Sequence, residues 1–432
     1  MSRTSIVIVG TGWAGYTISQ KLDDKKFDIT VISPEETSPY TPLLASAACG
    51  LFDFSLAEEP IRHKSKNISY YKARVQSVDF DSKTCKCRAA CDVDGGSTRE
   101  FDVSYDRLIL APGYATARSR ACLKLINRSC VTNTFRTPGA DEHAFFVRNV
   151  ADAKRVQHRL MQLLELASIP GLTDQEQRDL LHIVIVGGGP TVVEIAAEMS
   201  DLFNDDFSKL YPDLNGKMSV TIHDAAQFIL GAFEESLRQH AISSFSKRHV
   251  QVVTGSKIKE VTTNSITTEA EGRLGCGMVI WTAGNKQCAL VDGLDVAKTD
   301  KLPRIMTDDY LHALSPDKTS MRDVFAIGDA ADIKKQFLPT TAEVAVQKAE
   351  YLAKMLNADD TSTPFEYKQK ALVAYIGGHD GVVHGRPDWS GERAWAAWRS
   401  KNLLWTRSYR RKFMIVLYWF LDWAGGKEIA RI

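Results

Sequence analysis

Gly10-Thr11-Gly12-Trp13-Ala14-Gly15, directly after the apolar run Ser5 to Val9, and Gly187-Gly188-Gly189-Pro190-Thr191-Val192, directly after Ile183 to Val186, decide how this chain is read. Each stretch stands where a buried strand ends and a helix begins. Glycines there permit a tight turn and let the backbone approach a pyrophosphate, whose charge the helix N-terminus favours. One such motif is weak evidence. Two in one chain indicate a protein that holds two dinucleotides, and the usual reason to hold two is to pass electrons between them.

Working outward, Phe27 to Ile32 reads as the second strand of the first nucleotide unit. Tyr105 to Ala111, followed by Pro112-Gly113, reads as a later buried strand. Residues 140–180 look helical, with a break at Pro170-Gly171 and a polar loop at Thr173 to Gln177, and a fresh βαβ unit opens at Leu181 with its second strand at Ser219 to His223. Val279 to Thr282 and Val324 to Ile327 are further short buried strands, ending in Ala283-Gly284 and Gly328-Asp329. The second unit therefore reads as inserted in the first. The expected fold is α/β, with two Rossmann-like dinucleotide-binding domains and a C-terminal membrane-anchoring segment. The expected boundaries are 1–150 with 300–364 for the first domain, 151–299 for the second and 365–432 for the C-terminal segment.

At 432 residues the chain is long enough for two or three domains with cores of their own. Its 44% hydrophobic and 25% charged residues are ordinary for a globular protein, and a net charge of +1 gives no case for nucleic acid as a partner. The eight cysteines are scattered and form no C-x-x-C pair, which argues against a metal site or a disulfide scaffold. Cys85, Cys87 and Cys91 lie in an alternating stretch and read as small strand residues. No signal or transit peptide is visible at the start, and no stretch reaches the roughly 18–20 apolar residues of a spanning helix.

An acidic residue after the second strand of a nucleotide unit grips a ribose diol and repels a 2′-phosphate. In the second unit this is Asp224, which favours NADH over NADPH. In the first unit the matching place is Ser33, a weaker anchor that needs help from other contacts. Gly328-Asp329 follows a buried strand and precedes a helical stretch, where two-nucleotide flavoproteins place an aspartate on the flavin's ribityl chain.

The chain resembles the type II NADH dehydrogenases, single-subunit NADH:quinone oxidoreductases of the pyridine nucleotide-disulfide oxidoreductase-like superfamily, nearly end to end. Ser33-Pro34 with Thr41-Pro42-Leu43-Leu44 is similar to that family's flavin-side segment, and Pro138-Gly139-Ala140 with Glu142 to Phe146 to its P-G-V-x-E-H-A-F-F. Gly187 to Glu194, Phe325 to Ala330, Leu338 to Lys354, Tyr375-Ile376-Gly377 and Gly426 to Arg431 also match family segments. The resemblance implies that Gly10, Gly12, Gly15, Ser33, Thr41, Pro42, Leu43, Gly113, Gly328 and Asp329 hold FAD. It implies that Gly187, Gly189, Pro190, Glu194, Asp224 and Gly284 hold NADH, with Glu194 near the nicotinamide. It places Glu343 and Gln347 beside the quinone. Glu194, Glu343 and Gln347 are thereby the candidates for positioning or for proton supply.

Two positions depart from the family pattern. Val192 stands where the second fingerprint has its third glycine, so a valine side chain is expected to crowd the helix–strand packing. Glu343 replaces the first glutamine of the quinone pair; Glu343 and Gln347, four apart, still share one helical face. A charged carboxylate beside an apolar quinone is costly, which leaves open a protonated Glu343 or a different acceptor. Cys49 stands alone on the flavin-side segment, so the dithiol relay of disulfide reductases is not expected.

The tail from about residue 365 differs in composition. It holds Trp389, Trp395, Trp398, Trp405, Trp419 and Trp423, and from Arg386 onward ten Lys/Arg stand against four Asp/Glu. Arg407, Arg410, Arg411 and Lys412 precede the nine apolar residues Phe413 to Leu421, a run too short to span a bilayer and suited to a helix lying in its interface. Packing on the core or on a second subunit is the alternative. The resemblance implies a homodimer bound peripherally to the mitochondrial inner membrane; a cytoplasmic location is the alternative. The expected function is hydride transfer from NADH to FAD and electron transfer on to a ubiquinone-like acceptor, without proton pumping. Two alternatives stay open: a soluble NAD(P)H-dependent FAD enzyme of secondary metabolism reducing a quinone-like substrate, and a redox-sensitive binding flavoprotein similar to the apoptosis-inducing factors.

Overall fold

The computed structural model describes residues 3–51, 53–62, 67–90, 99–113, 134–284, 288–300, 302–334 and 336–425. Cys91 and the segment Gly426 to Arg431 lie outside the described residues. The chain divides into two compact units: residues 1–39, 59–132 and 285–369 form the first, and residues 40–58, 133–284 and 370–432 the second.

The first unit is built on a ten-stranded sheet. At its centre the strand Thr4–Val9 runs parallel to Phe27–Ser33 on one side and to Arg107–Leu110 on the other, and Ser320–Ala326 lies parallel beyond Arg107–Leu110. The run Ile6 to Val9 is apolar at every position because both faces of a central parallel strand are covered. Ile6 and Ile8 face a core with Ile18, Leu22, Ile109, Ala349 and Leu352, whereas Val7 and Val9 face one with Leu108, Leu110 and Ala326. The period of two of a strand thus divides one apolar run between two cores. Cys85 and Cys87 are buried in the second of these cores, on the strand Thr84–Ala89, and burial pushes their thiols up to about 12 and about 11.

The second unit has a four-stranded parallel sheet in the order Val250–Thr254, Ser219–Asp224, His182–Val186, Met278–Trp281. The stretch 140–180 is helical in three pieces, Ala140–His143, Val150–Ala167 and Asp174–Leu181. The stretch Thr173 to Gln177, expected as a polar loop, is instead a helix start, because Thr173 and Glu176 form a capping box that restarts the helix after the Pro170-Gly171 break. The helix Pro190–Asp201 is buried over most of its circumference. Residues 370–425 belong to this unit and add a three-stranded antiparallel sheet, Leu372–Gly377, Asp380–His384 and Trp389–Ser390, then the helices Glu392–Trp405 and Tyr409–Gly425.

The helical stretch expected after Gly328-Asp329 comes only after a further strand: Gly328–Ala330 is a single 3-10 turn that leads into the short strand Ala331–Ile333, and the helix Ala342–Ala358 follows it. Ala331–Ile333 instead pairs in parallel with Ile305–Thr307, which diverts the chain back into the sheet edge.

Candidate functional site

In the first unit, Gly10 and Gly15 of the first fingerprint are required by close backbone approaches. Gly10 has φ +99°, and a Cβ there would lie 2.2 Å from the Ala111 carbonyl oxygen; a Cβ on Gly15 would lie 2.0 Å from the Gly10 carbonyl oxygen. Gly12 borders open space and caps the helix Trp13–Lys21 without any side-chain hydrogen bond, leaving the first-turn N–H groups without that cap. Gly113 at φ +63° also borders open space, and Gly328 at φ +75° comes within 3.1 Å of the Ala14 methyl where its own Cβ would stand. These residues follow the C-terminal ends of three neighbouring parallel strands, the edge at which doubly wound sheets bind ligands. A helix N-terminus without a side-chain cap, bordered by open space at Gly12 and Gly113, fits a pyrophosphate, and thus fits FAD.

Ser33 is engaged within the protein. Its hydroxyl pairs with that of Thr11 at 2.8 Å and accepts the Glu35 N–H at 3.2 Å, while the Tyr70 hydroxyl donates to the Glu35 carbonyl at 2.7 Å. These contacts fasten the loop that follows the second strand. Thr41, Pro42 and Leu43 form a 3-10 turn that belongs to the second compact unit. Glu343 and Gln347 do meet on the first turns of the helix Ala342–Ala358, where the Gln347 amide donates to the Glu343 carboxylate at 2.6 Å. The same amide also donates to the Lys368 carbonyl at 2.9 Å, and its oxygen accepts the Lys368 N–H at 3.0 Å. Gln347 therefore clamps a backbone segment.

A cluster of charges that sequence reading did not single out lies beside Asp329. Lys348 and the ion pair Arg304–Asp332, at 3.3 Å, are all buried. Burial pushes the Asp329 carboxyl upward, against attraction from Arg304 and Lys348. The signal for Lys348 was available: it shares a helical stripe with Val344, Ala345, Ala349 and Leu352, all of them buried.

In the second unit, Gly187 has φ +125° and donates its N–H to the His223 carbonyl at 2.8 Å. A Cβ on Gly188 would lie 2.2 Å from Asp224 Oδ2, so the Asp224 carboxylate stands directly against the fingerprint. Its other oxygen accepts the Ala226 N–H at 2.7 Å. Gly189 borders open space and caps the helix Pro190–Asp201 without a side-chain bond, with Pro190 in the first turn. Gly284, at φ +79°, follows the strand Met278–Trp281. Val192 is 1% exposed, its Cγ2 3.2 Å from where a Gly187 Cβ would be. The helix begins at Pro190 with this valine seated in the core.

Three carboxylates line one face of that helix at spacings of four and three residues. Glu194 accepts the Trp398 indole N–H at 2.8 Å, Glu198 accepts the Ser46 hydroxyl at 2.6 Å, and Asp201 accepts from the Tyr375 hydroxyl, from Arg248 and from the Gly378 N–H. Tyr375 and Trp398 stack with ring centroids 4.9 Å apart. Burial raises the Glu194 carboxyl to about 7, although bonds from Trp398 and the Tyr375 backbone and the charge of Lys401 act in the lowering direction. A group with this value exchanges a proton near neutral pH, at the start of the helix whose N-terminus is the glycine cradle. The spacing i, i+4, i+7 on a largely apolar helix was readable; the partners Ser46, Tyr375 and Trp398, distant in sequence, were not.

The model of the pyridine nucleotide-disulphide oxidoreductases matches residues 4–349. The chain belongs to that family. The internal alternative NAD(P)H-ubiquinone oxidoreductase A1, mitochondrial, of Solanum tuberosum is 30% identical over 462 residues, covering 100% of this chain and 88% of the relative. The protein of the same name from Arabidopsis thaliana is 30% identical over 464 residues, covering 100% and 86%. Among solved structures, NDH2 from Plasmodium falciparum in complex with NADH superposes with a TM-score of 0.87 at 22% identity over 100% of both chains. The sulfide:quinone oxidoreductase of Aquifex aeolicus superposes with 0.69 at 16% identity over 98% and 96%. The mixed α/β fold is thus that of NDH2.

Proposed function

We propose that this chain is a flavoprotein NADH:quinone oxidoreductase that works without pumping protons. The observation that carries this reading is the presence of one glycine cradle in each compact unit, in a chain related over its full length to NAD(P)H-ubiquinone oxidoreductases. FAD held there would supply the redox chemistry between NADH as hydride donor and the quinone as two-electron acceptor.

The first unit would hold FAD through the backbone at Gly10, Gly12 and Gly15, with Gly113, Gly328 and Asp329 along the same sheet edge. The second would hold NADH at Gly187, Gly189, Pro190 and Gly284, with Asp224 on the ribose diol. Glu194 holds or releases a proton near neutral pH beside that site. Glu343 and Gln347 border the quinone, Gln347 by fixing the Lys368 backbone there.

The helix Tyr409–Gly425 supports a peripheral membrane role. Tyr409, Phe413, Val416, Phe420 and Trp423 recur at helical spacing and are exposed, Tyr409 at 89% and Trp423 at 81%. Arg410, Arg411 and Lys412 stand at its start, as suits an anionic interface. No described helix is long and apolar enough to cross a membrane. Relatives named as mitochondrial support a mitochondrial location, and the inner membrane and a homodimer belong to the same reading.

The test is steady-state oxidation of NADH and of NADPH by the flavin-loaded protein with a short-chain ubiquinone, with and without anionic vesicles. Quinone-dependent turnover that prefers NADH, and co-flotation with the vesicles, are expected. Absence of flavin bleaching by NADH would overturn the assignment. Bleaching without quinone turnover would point to a different acceptor.

A further inference from the structure

Lys348 carries a charge into the interior of the first unit. It is 1% exposed and among the largest fully buried side chains. Its Nζ donates to the Ala331 carbonyl at 3.1 Å, and Ala331 directly follows the turn that bears Asp329. Burying an ammonium is costly unless it is paired. The charges that face it are Asp332 on the strand Ala331–Ile333, Arg304 just before the strand Ile305–Thr307, and Asp329 on the Gly328–Ala330 turn. With Lys348 charged, two cations balance two carboxylates. Without it, the two carboxylates share one cation, and the less well paired one holds its proton to higher pH. Asp332 keeps Arg304 at 3.3 Å and the Leu338 N–H at 3.4 Å, so Asp329 is the carboxylate that Lys348 supports alongside Arg304.

Resting on the reading of Asp329 as the ribityl anchor, we propose that Lys348 is a positioning residue for the flavin: its buried ammonium keeps the Asp329 carboxylate charged, so that both oxygens accept hydrogen bonds from the flavin's ribityl hydroxyls. The helical stripe that places Lys348 in the core is thereby also what carries its charge to the cofactor. Burial lowers the lysine to about 8 and raises Asp329, so the support matters most at and below neutral pH and fades in alkali.

The experiment measures release of FAD from the full-length flavin-loaded protein on dilution, read as the rise of free-flavin fluorescence, at acidic and alkaline pH. K348Q keeps a donor for the Ala331 carbonyl and removes the charge. It is expected to bind FAD roughly tenfold more weakly than wild type near pH 6 and about equally near pH 9. K348M, which also lacks the donor, is expected to show the same pH dependence, and K348R to behave as wild type. D329N is expected to be weak at both pH values, with K348Q adding nothing in that background. An equal loss in K348Q and K348M at both pH values, or a K348Q loss that persists in D329N, would overturn the proposal and make Lys348 a packing residue. Wild-type protein that takes up no FAD would instead overturn the cofactor assignment, and the proposal with it.

Discussion

Replacing Glu194 with glutamine removes a titration while keeping the hydrogen bond that orients the side chain, because the amide oxygen accepts the Trp398 indole N–H where the carboxylate did. Burial raises this carboxyl from 4.5 to about 7. Between those values the folded protein holds a proton at Glu194 that the unfolded chain has released. The stability contributed by this group therefore falls as pH rises through the window, and the cost is fully present above about pH 7. At about 1.36 kcal/mol per pH unit, the displacement bounds that cost at roughly 3 kcal/mol. The E194Q variant carries no such cost. It is expected to match wild type near pH 4.5 and to be more stable by about 1–3 kcal/mol near pH 8. Urea unfolding of both proteins across this range, followed by far-UV circular dichroism and tryptophan fluorescence, measures the difference. A difference between wild type and E194Q that stays flat with pH would refute the reasoning, because it would mean that Glu194 is solvated as an ordinary surface carboxylate.

Three further outcomes follow from the two cradles. Gly10→Ala sets a methyl 2.2 Å from the Ala111 carbonyl oxygen at φ +99°, so the variant is expected to purify without flavin absorbance, and wild-type FAD content would contradict the cradle's role. Asp224→Ala is expected to weaken NADH binding roughly tenfold by calorimetric titration and to narrow its advantage over NADPH, since hydrogen bonds to a charged acceptor are worth about 1.5–3 kcal/mol; an unaltered NADH to NADPH ratio would remove Asp224 from the ribose. Val192→Gly removes a buried side chain and is expected to cost roughly 2–3 kcal/mol of stability without tightening NADH binding. A tighter NADH complex in that variant would show that the valine does crowd the nucleotide.

The second fingerprint illustrates how far local sequence carries. Its first two glycines are explained by backbone angle and by the approach of Asp224, both of which follow from a strand-turn-helix pattern with an acidic residue after the next strand. Val192 did not follow from the pattern. Whether a valine is tolerated there depends on the space between the helix Pro190–Asp201 and the strand beneath it, and the core accommodates it. Gly328-Asp329 was legible as the end of a buried strand, but the continuation as another strand depends on pairing with Ile305–Thr307, a contact between segments more than twenty residues apart.

The two glycine fingerprints, the apolar runs before them and Asp224 were determined by sequence alone, because each depends on backbone conformation and side-chain period within a few residues. The charged groups depend on folding. Burial within the folded unit raises the Glu194 carboxyl, against the bond from Trp398, some two hundred positions later, and Lys348 is a buried counterion because Asp332 and Asp329, beside the like charge of Arg304, converge on it. Desolvation and Coulomb attraction act through space, so only the tertiary structure decides which charged residues lose their water and which partners remain to them.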